Sequence, residues 1–432
     1  MRIGLVELLL ILCIASLTIG PQVAMFVRKW MRRAQKTQAA IERQRAAAEV
    51  QRKIEREELM HSFRRAAAVL GGMALVVLVY TLVLRPIETP PVAYTAPAVR
   101  ETTAAKQVEQ AGELALAGYE DAVCVRVYGG WVYLAAQKLE RGRATGQSAL
   151  VRLREDGSGL TEILTVEGEI TAFDFDAEGD VWLTTVTEDG GALCRAGHDG
   201  WGAALEQIVT QMDGTPLTSL SAVAVGADGK VYFAQAAAAS AGDGMEAALR
   251  TELFAHTATG WVYVYDPAAR SVERVLGGVA GAAGLALSPD GATLYVSDLG
   301  ERCIWAVEAD SRERTAGGKG CEAFAAGLPG YPATLAVDED GTLYVAYRWA
   351  QCAWLESHAD STFLRGVALR ARPLTQNALL GDAAPAVEAL GTDGGPLLAL
   401  GSAGGSVLAV YPSDSRVYWG AAGESAVDWL RI

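Results

Sequence analysis

The sequence predicts an all-β ectodomain, a six-bladed β-propeller over residues 119–432, preceded by an α-helical membrane region with two transmembrane helices. Three observations predict it. A strand–turn–strand phrase recurs six times through most of the chain. Two apolar runs near its start flank a basic stretch. The charge is also split: residues 1–85 carry 14 Lys+Arg against 6 Asp+Glu, and residues 86–432 carry 23 against 45, so a net −14 divides into +8 and −22. An acidic ectodomain repels phosphates, which excludes nucleic acid as a partner. A hydrophobic content of 51% excludes a disordered chain, and six Cys in 432 residues exclude a disulfide-stapled scaffold.

The membrane region comes first in the chain. Leu5–Ile19 is apolar with Glu7 as its one charge, and Gly20-Pro21 follows. Nothing before the next charges reads as a cleavage site, so this run is expected to stay as a first transmembrane helix within residues 1–27. Ala66–Leu84 is a 19-residue uncharged run bracketed by Arg64-Arg65 and Arg85, within a second span at 66–85. At 1.5 Å per residue such a run approaches the ~30 Å hydrocarbon core. Residues 28–65 hold 12 Lys+Arg and 5 Asp+Glu with no Gly or Pro, a helix-favouring composition. The positive-inside rule puts this basic helix in the cytoplasm, and the N-terminus and residues 86–432 outside. The expected localisation is therefore the cell membrane, multi-pass, with the bilayer as a partner. Pro86, Pro90, Pro91 and Pro97 open a linker at 86–118 that reads as a stiff spacer, and residues 104–118 suggest a short helix.

The repeat starts at 123–134 and returns at 170–185, 220–235, 283–298, 333–348 and 387–402. Asp-Gly occupies the turn at 228–229, 290–291, 340–341 and 393–394, where a tight hairpin needs positive φ. A period of about 50 residues suits one four-stranded blade. Third strands are read at 192–197, 260–267, 302–310 and 405–412. Residues 236–259 read as an excursion within one blade, with a short helix near Glu246–Leu249. The chain ends are expected to share the closing blade, with residues 426–432 as one of its strands.

Two resemblances follow from these residues. Glu7, the Gly20-Pro21 step and the basic helix resemble the small pore-forming subunits of the twin-arginine translocase, a likeness of membrane-insertion geometry over about 40 residues. Residues 229–350, including GWVYVYDPAARSVERVLGGV (260–279), GLALSPDGATLYVSD (284–298) and Leu-Pro-Gly-Tyr-Pro (328–332), resemble the strictosidine-synthase-like and senescence-marker/gluconolactonase (SMP-30-like) six-bladed propellers. That resemblance implies a funnel at one end of the axis. In hydrolase branches a divalent cation, often Ca²⁺, sits there on a Glu, two Asn and an Asp, and activates water on a lactone or ester.

The matching positions depart from that set. Ala283 stands for one Asn, Ala333-Thr334 for an Asp-Asn pair, and Ala234-Gln235 for a Thr-Asp pair. Glu120 or Asp121 supplies a first-blade carboxylate. The expected pocket residues are Glu120, Asp121, Asp298, Tyr331 and Thr334, with Glu388 matching the catalytic acid/base of the strictosidine-synthase branch to within one residue. No metal ligand set is expected. The function expected from the sequence is a membrane-anchored, non-catalytic module without a cofactor. Its ligand would be a small molecule, a cell-wall component or a protein. The alternatives are a Ca²⁺-type lactonase or esterase, or a strictosidine-synthase-like enzyme.

Overall fold

A computed structural model describes residues 5–100, 112–198, 205–381, 386–400, 406–414 and 416–431, without the side chains of 5–19, 34, 35, 37–39 and 41. The chain divides into two units, Met1–Tyr80 and Thr81–Ile432.

The first unit is helix α1, Leu5–Val79, which runs on through Pro21. This corrects the expected pair of spans joined by a separate basic helix, because the structure has no chain reversal in this stretch. The physical reason lies in residues 28–65, whose Ala, Gln, Arg and Glu residues offer nothing to break a helix. Among the described residues, one helical segment, Glu42–Leu84, is long and apolar enough to cross a membrane.

Among the described residues the second unit holds six blades of four antiparallel strands, with a short fifth strand, Arg314–Thr315, added parallel at the outer edge of blade three. Blade one is Tyr119–Tyr128, Trp131–Glu140, Arg143–Leu153 and Thr161–Glu167. Blade two starts at Glu169–Phe175, blade three at Leu220–Val225, and blade four at Ala282–Leu287. Blade five starts at Gly330–Val337 and blade six at Val407–Ser413. Each of these innermost strands touches the next, and the sixth touches the first, which closes the ring. Blades are packed on both faces, so a second strand can be buried along its whole length, polar residues included. All five residues of Val231–Gln235 are buried. Phe173, Trp182, Phe233 and Tyr263 from blades two and three form part of the largest apolar cluster.

The Asp-Gly turns work as read: Gly229, Gly291, Gly341 and Gly394 have φ of 80°, 69°, 84° and 75°. Closure also follows expectation. Ala426–Arg431 pairs with Gly112–Ala115, which is the outermost strand of blade six. Gly112 is needed there because a Cβ would stand 2.7 Å from the Trp429 ring. Residues 112–115 are thus a strand instead of part of a helix, and residues 101–111 of the expected helix lie outside the described residues.

The last repeat is out of phase with the sequence reading. Val387–Leu390 and Pro396–Leu400 are the outer two strands of blade five, and the expected third strand at 405–412 overlaps Val407–Ser413, the innermost strand of blade six. The shift comes from an insertion of three helices inside blade five. Helix α2, Met245–Ala255, lies in the blade-three excursion as expected. Helices α3 (Ala353–Ser357), α4 (Thr362–Arg370) and α5 (Pro373–Leu380) fill the blade-five insertion. Helices α2 and α4 pack on each other.

The Pro-rich segment is a strap bonded to the propeller instead of a free spacer. The Val92 N–H donates to Ala255 O at 2.8 Å, Tyr94 N–H to Ala359 O at 3.1 Å, and Arg100 N–H to Gly327 O at 2.9 Å. Tyr94 stacks on His256 with ring centroids 3.7 Å apart. Arg302, fully buried, donates to Pro97 O at 2.8 Å and pairs with Glu356 at 2.8 Å, so one guanidinium ties strap, blade four and helical insertion together.

Candidate functional site

The innermost strands begin at one end of the axis, and their first residues surround a cavity of about 420 Å³. Every blade contributes. Asp121, Ile170 with Thr171, Ser221, Ala283, Ala333 with Thr334, and Leu408 line it in blade order. Met245, Glu246 and Leu249 of α2 reach over it, and Glu169 and Arg348 complete the polar wall. At the opposite end of the axis Arg126 pairs with Asp174 at 3.2 Å beside Tyr411.

The charged groups are held in place. Glu169 Oε2 accepts the Met245 N–H at 2.9 Å, a carboxylate at the N-terminus of α2 where the helix dipole favours it. Glu246 accepts from Arg250 Nη1 at 3.0 Å and faces Arg348 Nη2 at 3.4 Å. Arg250 in turn donates to Gln376 at 2.8 Å and Asn377 at 3.0 Å, which fixes α2 to α5. Burial lowers the Arg348 ionisation from the usual arginine value, against the pull of Glu246, Glu169 and Asp121. A guanidinium stays charged all the same. The funnel therefore presents a part-buried fork of N–H donors, 13% exposed, among three carboxylates.

The hydroxyls of Thr334, Ser221 and Thr171 have partners within the propeller. Thr334 Oγ1 donates to Leu408 O, Ser221 Oγ to Ala282 O, and Thr171 Oγ1 bonds Thr184 Oγ1 at 2.8 Å. Asp121, at φ 53°, accepts the Gly423 N–H at 2.6 Å. A hard cation wants about six to eight oxygens. Ala283 and Ala333 present none from their side chains, Thr334 offers a hydroxyl oxygen in place of an amide, and Arg348 brings positive charge to the wall. The residues present do not fit the family's cation. Among the described residues no three His, Cys, Asp or Glu converge as a metal site.

Of the expected pocket residues, Asp121 and Thr334 line the funnel and the others lie elsewhere. Glu120 pairs with Gln137 across blade one. Asp298 is fully buried, accepting from Trp305 Nε1 at 2.9 Å and Glu301 N at 3.0 Å, and burial pushes its carboxyl up to about 6. The Tyr331 hydroxyl accepts the Cys352 N–H at 3.3 Å, and burial raises its ionisation well above the usual tyrosine value. Glu388, 1% exposed, bonds to Tyr347 Oη and to Arg100 of the strap. The sequence reading passed over Arg348, Glu169 and Glu246. Arg348 did leave a signal: it is the one charge in the otherwise apolar strand Leu343–Ala350.

A family model described as the SMP-30/Gluconolactonase/LRE-like region matches residues 147–383. The chain belongs to that family. A gluconolactonase from Xanthomonas campestris superposes with a TM-score of 0.50 at 18% identity, over 79% of this chain and 98% of that one. A calcium-binding regucalcin from Agrobacterium tumefaciens gives 0.45 at 15% identity, over 81% and 92%. At such identities the likeness is one of fold. No curated protein matches the chain.

Proposed function

We propose that this member of the gluconolactonase-like family is a membrane-anchored propeller whose funnel binds a small polar molecule through a carbonyl or carboxylate on Arg348, with ester or lactone hydrolysis as its chemistry. Family membership favours hydrolysis over a purely non-catalytic role. The observation that carries the reading is the part-buried guanidinium beside three carboxylates in a cavity built by all six blades. In such a site the Arg348 N–H groups polarise the carbonyl, as preorganised donors do in a water-poor pocket. A funnel carboxylate takes the proton of the attacking water. The acyl C–O bond breaks, and that proton leaves with the alcohol oxygen. No step uses a divalent cation.

Non-catalytic binding is the second reading. It is favoured by Ala283 and Ala333 at the positions where the resemblance implies cation ligands. The strictosidine-synthase-like alternative needs Glu388 in the cavity, and Glu388 is engaged by Arg100 and Tyr347 outside the funnel lining. For the anchor, residues 66–84 supply one span, with the basic stretch 28–65 cytoplasmic and the propeller outside by the positive-inside rule. The test is a lactone and aryl-ester screen on the full chain, with calorimetry on the same compounds. Turnover supports the hydrolase. Binding without turnover supports the second reading.

A further inference from the structure

The blade-five insertion has a property that neither the propeller nor the funnel needs. Helices α4 and α5 turn large apolar side chains to solvent: Phe363 is 63% exposed, Leu374 84%, with Leu364 and Leu379 beside them. Apolar groups of this size clustered on one element mark an interaction surface. The charge of the same stretch is equally unusual. Residues 361–381 contain Arg365, Arg370 and Arg372 and no Asp or Glu, inside an ectodomain whose net charge is −22. Arg365 is spent inside, donating to Phe254 O and Val92 O, whereas Arg372 is exposed.

Chain connectivity says what lies nearby. Arg85 directly follows the apolar run 66–84, and its carbonyl accepts from Arg370 Nε while its own guanidinium reaches Arg370 O at 3.5 Å. Ile87 and Pro91 pack near Gly366 of α4. The end of α4 is therefore within one arginine side chain of the residue at which the span ends, and Leu374 is four residues further on.

We infer that α4 and α5 form a docking surface for the membrane that holds the anchor. Phe363, Leu374 and Leu379 enter the acyl boundary, and the exposed Arg372, with Arg85 at the end of the span, meets anionic headgroups. This is the composition of an interfacial helix pair, apolar residues with arginines at the headgroup level. Because α2 roofs the funnel and packs on α4, the funnel end of the propeller then faces the bilayer. The inference rests on residues 66–84 spanning the membrane, as proposed above.

The experiment uses the full chain in vesicles of phosphatidylglycerol and phosphatidylcholine, in a Cys13→Ser background. The described cysteines of the propeller are all buried. An environment-sensitive fluorophore is placed at Leu374→Cys, at Leu75→Cys within the span, or at Asp340→Cys on an exposed turn at the other end of blade five. Lipids carrying spin labels serve as quenchers. The expected result is a blue shift and loss of emission at positions 374 and 75 but not at 340, with the loss at 374 diminished by Arg372→Glu. Quenching at 75 with none at 374 overturns the docking surface and leaves the span standing. Quenching at neither overturns both, and quenching at 374 alone removes the span and with it a docking surface that sits beside the anchor.

Discussion

Replacing Arg100 by alanine tests whether the strap is part of the folded propeller. The Glu388 carboxylate is 1% exposed and its charged partner is Arg100, whose side chain is 18% exposed. Removing Arg100 leaves a buried carboxylate with Tyr347 as its remaining bonded side chain. Breaking one side of a buried pair costs 3–5 kcal/mol, and the partial exposure of Arg100 places this case near the lower end, about 3 kcal/mol. For a domain of this size that is a fall of about 6 °C in the thermal midpoint, at ~2 °C per kcal/mol. The double variant R100A/E388Q removes the orphaned charge along with its partner, so it is expected to recover part of the loss. The assay is thermal unfolding of the full chain in detergent. A shift for R100A no larger than that of Arg141→Ala, an exposed turn residue, would refute the reasoning. So would strict additivity in the double variant.

Two further outcomes are expected. Burial pushes the Glu252 carboxyl from 4.5 up to about 7. The native state then holds a proton that the unfolded chain has released, so stability falls as pH rises from about 4.5 to about 7 and is flat above; at 1.36 kcal/mol per unit this is about 3 kcal/mol, and Glu252→Gln removes that slope in midpoints measured from pH 5 to 8. Gly112→Val forces the closing strand off the Trp429 ring, an overpacking cost of about 1–3 kcal/mol that denaturant unfolding detects as a lower midpoint.

Much of the fold was legible because its signals are local. Each Asp-Gly turn announces a hairpin through its positive φ, and the period of those hairpins gives the blades. The same locality explains the slip at the end. Asp393-Gly394 joins strands three and four of blade five with the chemistry that elsewhere joins strands one and two, so a turn cannot report which half of a blade it serves. Only the helices at 353–380, which displace the phase, distinguish the cases. The strap was illegible for a different reason. Prolines signal an extended backbone, but what holds this one is a set of carbonyls taken up by Arg302 and Arg365, far along the chain. At the site, the alanines at 283 and 333 could be read directly. Arg348 required the fold, since a charge at the end of an apolar strand becomes a funnel residue only once six strands converge.

In the proposed hydrolysis Arg348, and not a divalent cation, polarises the carbonyl in the funnel. The direct measurement is kcat/KM for a hydrolysed lactone or aryl ester with the full chain in excess chelator, for the parent and Arg348→Met. Chelation is expected to leave the parent rate unchanged, and R348M to lower it by on the order of 10²-fold, the loss typical of one oxyanion donor. Activity abolished by the chelator and restored by Ca²⁺, with R348M retaining the parent rate, would contradict it.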